Sequence, residues 1–386
     1  MSSSSIADAF FALLRFSLDS AIQVPNVNLA PEAWQILYAE ARRQTVSGLL
    51  WRGIERLPAD MRPPRALLLT WYAEADHIRR ANARINAEAV ALQSRLAADG
   101  IRSAVLKGQG LSLLYPDAGL RTLGDIDIWL QGSRRRILAY VRSHAQCGEV
   151  RYHHVDYRTS GNGLAVEIHF TPSWMNVPWR NVRLQRWFCQ EALTQMGHSQ
   201  PLADGSAYRL TIPTPAFNAV YVLIHIFRHL LGEGVGLRQV VDYALVLRHM
   251  PSADRPSVVR TLSRLGLERF AAGLAYVMCE QIGLSVDDCL VPSDAVMGRF
   301  LLNEIMLSGN FGKTDTRLVR RDHETPFYRF CRSMRRNVRF VRFFPAETFL
   351  THSSDSGTML GSTFTVIARC EAPQNRTFRN NCVTVK

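Results

Sequence analysis

Four short runs with the alternating pattern of β-strands lie between residues 101 and 170, and they constrain the fold more than any other feature. These runs are IRSAVL at 101–106, DIDIWL at 125–130, VRYHHVDY at 150–157 and LAVEIHF at 164–170. The sequence SGNG between the last two predicts a hairpin. Helical patterns in GQGLSLLY and SRRRILAYVRSHAQ separate the other runs. The segment therefore predicts a small mixed β-sheet with helices between its strands.

Helical periodicity precedes this predicted sheet. Pro63 and Pro64 suit the start of a long helix, and Gly100 follows its last apolar turn as a stop signal. Between these signals, apolar residues recur at spacings of seven and four, which places them on one helix face. They are Ile78, Ile85, Leu92 and Leu96. We therefore expect a buried helical face and a helical region over residues 1–99.

Helical periodicity returns after Pro172. Pro213 and Pro215 open a helix that contains His225 and His229, and helical patterns continue to about residue 344. The final stretch is rich in Ser, Thr and Asn without a sustained period, which predicts a mostly disordered tail. The predicted fold class is α+β, with a sheet core at 100–200, a C-terminal helical domain at 201–345 and a tail at 346–386.

The composition limits the location and the partners of the chain. A formal net charge of +13 attracts polyanions such as NTPs, tRNA or an anionic membrane surface, without choosing among them. The most apolar later run, 219–231, is too short to span a membrane and carries two His and an Arg. Seven cysteines lie without a CxxC pair, which fits a reducing cytoplasm. We expect a cytoplasmic protein without membrane insertion.

The predicted strands place acidic side chains on one side of the sheet. Asp125 and Asp127 are two residues apart in DIDIWL, so they point to the same side, and Glu167 lies with His169 on the polar face of LAVEIHF. Such hard oxygen donors suit Mg²⁺ or Mn²⁺. An isolated Asp-x-Asp is more often a surface, turn or capping pair, and Glu167 alone could be a solvent-facing strand residue.

Two basic positions flank these acids. Lys107 and Gly108 follow the first apolar run and open a helix, where backbone N–H groups can receive phosphate. A Lys-Gly pair is also an ordinary strand exit. Arg121 lies just before the acidic pair and could contact phosphate or hold the loop to the carboxylates, while a surface arginine is the alternative.

Together these residues resemble a known family. The segment VLKGQGLSLLYPDAGLRTLGDIDIWL, followed about 40 residues later by LAVEIHFTPSW, is similar to the uncharacterised nucleotidyltransferase family of the polymerase-β-like superfamily. The resemblance extends from the helix near Arg80 to the helical region ending near Arg248. The helix opens with Lys107-Gly108 instead of the usual Gly-Ser of the superfamily, and Lys-Gly is the form familiar in this family.

The resemblance implies an activity and a set of site residues. It implies transfer of an NMP from an NTP to an acceptor hydroxyl, with Asp125, Asp127 and Glu167 as metal ligands and catalytic carboxylates. It places Gly108 at the phosphate-binding helix.

The family's helical block would close over the nucleotide, with His225, Arg238 and Asp242 nearby. Packed histidines and a surface Arg238–Asp242 pair are equally open interpretations. The pair of His225 and His229 also suits zinc, although no third ligand at useful spacing is evident.

The acceptor is not identified by the sequence. Between residues 313 and 342, arginines alternate with Phe and Tyr, which favours RNA or another anionic partner. An amphipathic helix that packs its Phe residues gives the same pattern.

Two other functional classes remain open at this point. One is a nucleotide- or RNA-binding module without turnover. The other is a glycosyltransferase that uses Asp-x-Asp to hold a metal and a nucleotide diphosphate, although a mostly helical stretch precedes the pair here.

Overall fold

The computed structural model describes residues 3–158, 164–202, 207–318 and 325–350. The helices before the sheet are α1 (Ser3–Leu18), α2 (Pro31–Arg43), α3 (Ser47–Arg56) and α4 (Arg65–Ala98). The sheet region comprises β1 (Ser103–Leu106), α5 (Gly108–Ser112), β2 (Ile126–Leu130), α6 (Arg134–His144), β3 (Gln146–Val150), β4 (His154–Arg158) and β5 (Val166–His169).

The elements after the sheet are mostly helical. They are α7 (Pro178–Gln195), the short strands β6 (Ser199–Pro201) and β7 (Arg209–Thr211), and the helices α8 (Pro215–Gly232), α9 (Leu237–His249), α10 (Arg255–Leu265), α11 (Glu268–Val277), α12 (Ala295–Ser308), α13 (Pro326–Val341) and α14 (Pro345–Phe349). A turn of π-helix, Met278–Ile282, continues from α11.

The main sheet has the strand order β1-β2-β5-β4-β3. Strands β2 and β5 are parallel, and the other neighbours are antiparallel. This mixed sheet among helices confirms the predicted α+β class. The antiparallel β4–β5 pair agrees with the predicted hairpin, whose SGNG sequence lies within 159–163, outside the described residues.

One predicted strand proves to be two. The run at 150–157 is divided between the end of β3 and most of β4, because the chain turns at 151–153. The N–H of Arg151 donates to the carbonyl of His154 at 2.9 Å and closes that turn. Strand β3 itself occupies residues 146–150, directly after the helix α6, and was not predicted beyond its last residue.

The two faces of the sheet have different neighbours. Ile126, Ile128 and Leu130 point into a core that also contains Ile85 and Leu92 from α4. All four apolar residues predicted to line this helix are buried, which confirms its amphipathic character. The opposite face of β2 carries Asp127 and Trp129, as the period of two requires.

Helix α8 covers this opposite face. The ring of Trp129 stacks on Phe217 of α8 with centroids 5.9 Å apart and an interplanar angle of 19°. Trp187 of α7 stacks on the other side of Phe217 at 4.9 Å. The aromatic contact fixes α8 against the strand that carries the carboxylates.

Helical structure extends into the segment expected as a tail. Helix α14 occupies Pro345–Phe349, and the buried Glu347 accepts a hydrogen bond from the N–H of Asn176 at 3.1 Å. The rest of the predicted tail, 351–386, lies outside the described residues. Among the described helices, none combines the length and apolar character needed to span a membrane.

Candidate functional site

The acidic residues form a row across three strands. In the β2–β5 register Asp127 pairs with Glu167, and in the β4–β5 register Asp156 pairs with Glu167. Residues paired in this way point to the same face of a sheet. The row therefore brings Asp127 and the predicted Glu167 together and adds Asp156, which sequence analysis did not select.

Lys107 neutralises Asp127, at one end of this row. Its Nζ lies 2.9 Å from Oδ2 of Asp127, whose side chain is 3% exposed. Burial alone would lower the pKa of Lys107, but the charge of Asp127 raises it above its ordinary value. For Asp127 burial acts to raise the pKa, and the ammonium of Lys107 holds it well below the usual range. Both groups are consequently charged at neutral pH.

The backbone at Lys107 is unusual for a residue with a side chain. Its φ is 51° and its ψ is −121°, at the junction of β1 and α5. Such conformations carry a cost and are concentrated at functional sites. The strained junction turns the Lys107 side chain toward the carboxylate row.

His169 occupies the position between the two paired carboxylates. Its Nε2 lies 2.8 Å from Oδ1 of Asp127 and 3.5 Å from Oε2 of Glu167. Burial lowers the pKa of His169, but these hydrogen bonds raise it overall. For Glu167, burial acts to raise the pKa and the bond from His169 lowers it below the usual value.

Asp125 lies just before β2, two residues from Asp127. The negative charge of Asp127, followed by burial, raises the pKa of Asp125, while Lys107 acts in the opposite direction. Gln109 of α5 donates to the backbone carbonyl of Asp125 at 3.3 Å. The first turn of α5 is thereby fixed against the start of the acidic strand.

The donor set suits a cation. Single ligand atoms from Asp127, Glu167 and His169 all lie within 4.8 Å of one another, so one ion could contact all three. The carboxylate oxygens are the hard donors that Mg²⁺ and Mn²⁺ prefer. His169 joins the two acids here, and the assignment of Asp125 as a further ligand stays a prediction.

Gly108 begins α5, as the sequence predicts. A Cβ at this position would meet only ordinary contacts, with the Asp125 carbonyl and a Leu123 methyl group both at 3.7 Å. Packing inside the protein therefore does not demand glycine here. A phosphate that approaches this backbone, as predicted, would be a separate reason for glycine at this position.

Helix α8 presents basic side chains to the site. Burial, followed by the positive charge of Lys107, lowers the pKa of His225 well below its ordinary value. Its ring lies 4.3 Å from that of His229. Arg228, which was not predicted, has its guanidinium over the ring of Trp174, and burial lowers its pKa to about 9. The three basic groups share a face because they are three and four residues apart.

Arg121 and Asp242 form a buried ion pair, so the surface pair between Arg238 and Asp242, considered as the alternative to a nucleotide contact, is not formed. Nε and Nη2 of Arg121 donate to the two oxygens of Asp242, each at 2.7 Å, and Tyr115 also donates to Asp242 at 2.7 Å. Both charged side chains are at most 5% exposed. The pair joins the loop before β2 to α9, which is the loop-holding role considered for Arg121.

Arg238 supports the same loop. Its Nη1 donates to the carbonyl of Thr122 at 2.6 Å. Burial, then the charge of Arg121, lowers its pKa. Contact of Arg121, Arg238 or Asp242 with a nucleotide remains a prediction. Their contacts give all three residues a structural role, which is to hold the loop before β2 against α9.

Three further residues at the site were not selected from the sequence. His153 and His154 lie beside His169, with ring centroids 5.2 and 5.4 Å from it, and Trp174 packs on His153 at 4.1 Å. The period of two along LAVEIHF was enough to place His169 on the acidic face. The contacts of His153 and His154 depend on how β4 pairs with β5, which no local pattern specifies.

Several arginines of the basic stretch 313–342 are used inside the fold. Arg317 donates to Glu304 and Asp315 at 2.9 Å. The buried Arg336 donates to the carbonyls of Leu230 and Leu231 at the end of α8. These two side chains therefore fit neither an RNA-gripping surface nor the solvated arginine face of an amphipathic helix.

Comparisons with known proteins add a family to this geometry. No curated protein matches the chain. It is similar to the solved structure of an antigenic nucleotidyltransferase-like protein from Paracoccidioides brasiliensis, at 13% identity and a TM-score of 0.32, over 58% of this chain and 98% of that one. A family model described as "Uncharacterised nucleotidyltransferase" matches residues 30–282, which include every element around the acidic row. The chain therefore belongs to the uncharacterised nucleotidyltransferase family.

Proposed function

We propose that this chain moves an NMP from an NTP to an acceptor hydroxyl, with release of pyrophosphate and with Mg²⁺ or Mn²⁺ as cofactor. The observation that carries the proposal is the pairing of Asp127 with Glu167 across two parallel strands, with Asp125 two residues before Asp127. Family membership supports the same reaction class over a glycosyltransferase.

The three carboxylates are the residues that would hold the cation. Their oxygens are hard donors, and those of Asp127 and Glu167 already lie close enough to share an ion. When bound, the cation neutralises phosphate charge and stabilises the attacking and leaving oxygens of an in-line displacement. Acidic residues on adjacent strands supply the rigid geometry that this chemistry needs.

Glu167 is suited to receive the proton. Burial favours its neutral form, but the hydrogen bond from His169 holds its pKa below the usual value, so it is a carboxylate at neutral pH. The acceptor oxygen attacks the α-phosphorus and gives its proton to Glu167. The bond from the α-phosphorus to its bridging oxygen breaks, and the electron pair leaves with pyrophosphate.

The basic groups opposite the acids would hold the phosphates. Lys107 projects from the strained junction before α5, and His225 and Arg228 come from the helix α8 that covers the same face. Gly108 leaves the first turn of α5 without a side chain between its backbone and a ligand. A phosphate chain would lie between these donors and the carboxylate row.

The expected domain division places this site at a junction. We retain the boundaries near residues 99, 200 and 345 as a proposal. The acids and Lys107 then belong to the sheet core at 100–200, while His225, Arg228 and Arg238 come from the domain at 201–345. Closure of the helical domain over the sheet core would cover the nucleotide.

Transfer of label from an NTP tests the proposal. The protein is incubated with each NTP labelled at the α-phosphate, with Mg²⁺ or Mn²⁺, and with cellular RNA, protein or small-molecule fractions. We expect label in one fraction with the wild type, and loss of it with Asp125→Asn or Asp127→Asn. The exposed Asp60→Asn is the matched control and should transfer label like the wild type. Absence of metal-dependent NTP binding by the wild type would falsify the proposal.

A nucleotide-binding module without turnover is the second candidate. It is favoured by one observation, the engagement of both Asp127 oxygens by Lys107 and His169. The protein's own cations thus balance this carboxylate. Tight, metal-dependent NTP binding without labelled product in any fraction would support this candidate over the enzyme.

A further inference from the structure

Three histidines converge beside the acidic row. Single ring nitrogens of His153, His154 and His169 lie within 4.8 Å of one another. Nδ1 of His154 is 2.9 Å from Nε2 of His153. The same Nδ1 is 3.2 Å from Oε2 of Glu167, and Nε2 of His169 is 3.5 Å from that oxygen. Three imidazole nitrogens therefore lie close together, and Glu167 approaches the rings of His154 and His169.

The spacing of these atoms fits tetrahedral coordination. Zinc–nitrogen bonds of 2.0–2.1 Å place neighbouring ligand atoms of a tetrahedron about 3.3 Å apart. Three of the separations among His153 Nε2, His154 Nδ1, Glu167 Oε2 and His169 Nε2 are given above, and they run from 2.9 to 3.5 Å. An ion bound to Nε2 of His169 would replace the proton that this nitrogen shares with Asp127.

The surroundings also suit an imidazole-bound metal. His154 and His169 are 3% and 1% exposed, so water competes poorly for their nitrogens. Two ring nitrogens of His153 and His154 face each other and need a proton or a cation between them. The outer Nε2 of His154 lies 3.6 Å from Asp156, and a small shift would let this carboxylate orient the ring, as outer carboxylates do for metal-binding histidines.

We propose that His153, His154 and His169, together with Glu167, bind a transition-metal cation of the Zn²⁺, Co²⁺ or Ni²⁺ class. Imidazole donors favour these ions over Mg²⁺. The site shares Glu167 and His169 with the proposed nucleotidyl-transfer centre but does not require that reaction. It provides three imidazole ligands, whereas the pair of His225 and His229 has no third ligand among the described residues.

Binding of Co²⁺ to the full-length protein, without any NTP, tests this site. Tetrahedral Co²⁺ gives a strong visible absorption, which is followed during titration, and Zn²⁺ is then added to displace it. We expect one Co²⁺ per chain in the wild type. His153→Phe removes a ligand but keeps a ring on Trp174, and it should weaken Co²⁺ binding at least about tenfold, since even outer partners of metal ligands have effects of this size.

A matched substitution controls for the loss of a ring. His144 stacks on Tyr140 at 4.1 Å, the same centroid distance as His153 to Trp174, and it lies outside the cluster. His144→Phe should bind Co²⁺ like the wild type. If His153→Phe does not fold, His154→Gln takes its place, with folding checked by circular dichroism.

Two outcomes would overturn the site. One is a wild type that gives no tetrahedral Co²⁺ spectrum, or a His153→Phe variant that binds as tightly as His144→Phe. The other is a spectrum that disappears in Asp125→Asn but persists in His153→Phe, because Co²⁺ would then lie at the aspartates. Failure of NMP transfer leaves the Co²⁺ titration unaffected, so the two proposals fail separately.

Discussion

The ammonium nitrogen of Lys107, which directly follows β1, lies 2.9 Å from Oδ2 of Asp127 on the neighbouring strand β2. The two side chains are 18% and 3% exposed, so water screens the pair weakly. In the proposed reaction Lys107 would supply a positive charge for phosphate. It also balances a buried carboxylate before any ligand arrives.

Replacing Lys107 should therefore affect stability as well as binding. We expect Lys107→Met to lower the free energy of unfolding by about 3 kcal/mol, because breaking a buried pair leaves a charge uncompensated. Mg²⁺ should raise the free energy of unfolding more in the variant than in the wild type. Urea denaturation with and without Mg²⁺ measures both effects. The exposed Lys313→Met is the control, and equal unfolding midpoints for the two variants would contradict the prediction.

The pair of Arg121 and Asp242 should behave as a structural link. Asp242→Asn should cost about 3–5 kcal/mol of unfolding free energy, since it leaves the buried guanidinium of Arg121 without its charge partner. The double variant Arg121→Met/Asp242→Leu should recover much of that loss. NTP affinity of the folded variants, measured by equilibrium dialysis, should stay near that of the wild type. A loss of affinity larger than the loss of stability would instead support direct nucleotide contact.

The aromatic contact between α8 and the sheet should carry much of their packing energy. Phe217 lies between Trp129 and Trp187, at 5.9 and 4.9 Å between centroids. We expect Phe217→Ala to cost about 3–5 kcal/mol because it leaves a cavity between two large rings. Leu69→Ala, at a side chain that is 58% exposed, is the control and should change stability by less than about 0.5 kcal/mol. Urea denaturation of both variants tests the contrast.

Acid should weaken the ion pair of Asp315 with Arg317 in the segment before α13. Burial acts to raise the pKa of Asp315, but hydrogen bonds from Arg317 lower it below its ordinary value. A lowered folded-state pKa gives stability that is complete above the unfolded pKa of about 3.9 and is lost as pH falls through the folded value. The advantage of the wild type over Asp315→Asn should shrink in urea titrations below about pH 4. Arg317→Met should lose less stability in acid than the wild type, as Asp315→Asn does. A difference in stability between the wild type and Asp315→Asn that stays constant at all pH values would contradict this account.

The sequence by itself determined the local elements and the acidic strand. A period of two fixes Asp125 and Asp127 on one side and Ile126 and Ile128 on the other, because strand geometry allows no other arrangement. The apolar spacing along α4 and the proline before α8 predict these helices from equally local patterns. The α+β class and the acidic side of β2 were therefore predictable.

Only the tertiary structure decided which distant groups meet. Parallel pairing of β2 with β5 sets Glu167 beside Asp127, and the β4–β5 register adds His154 and Asp156. Asp242 pairs with Arg121, 121 residues away, and not with Arg238 one helical turn away. Such choices depend on the free energy of burying charges in a shared core, where each group must find a partner that its own strand or helix does not supply.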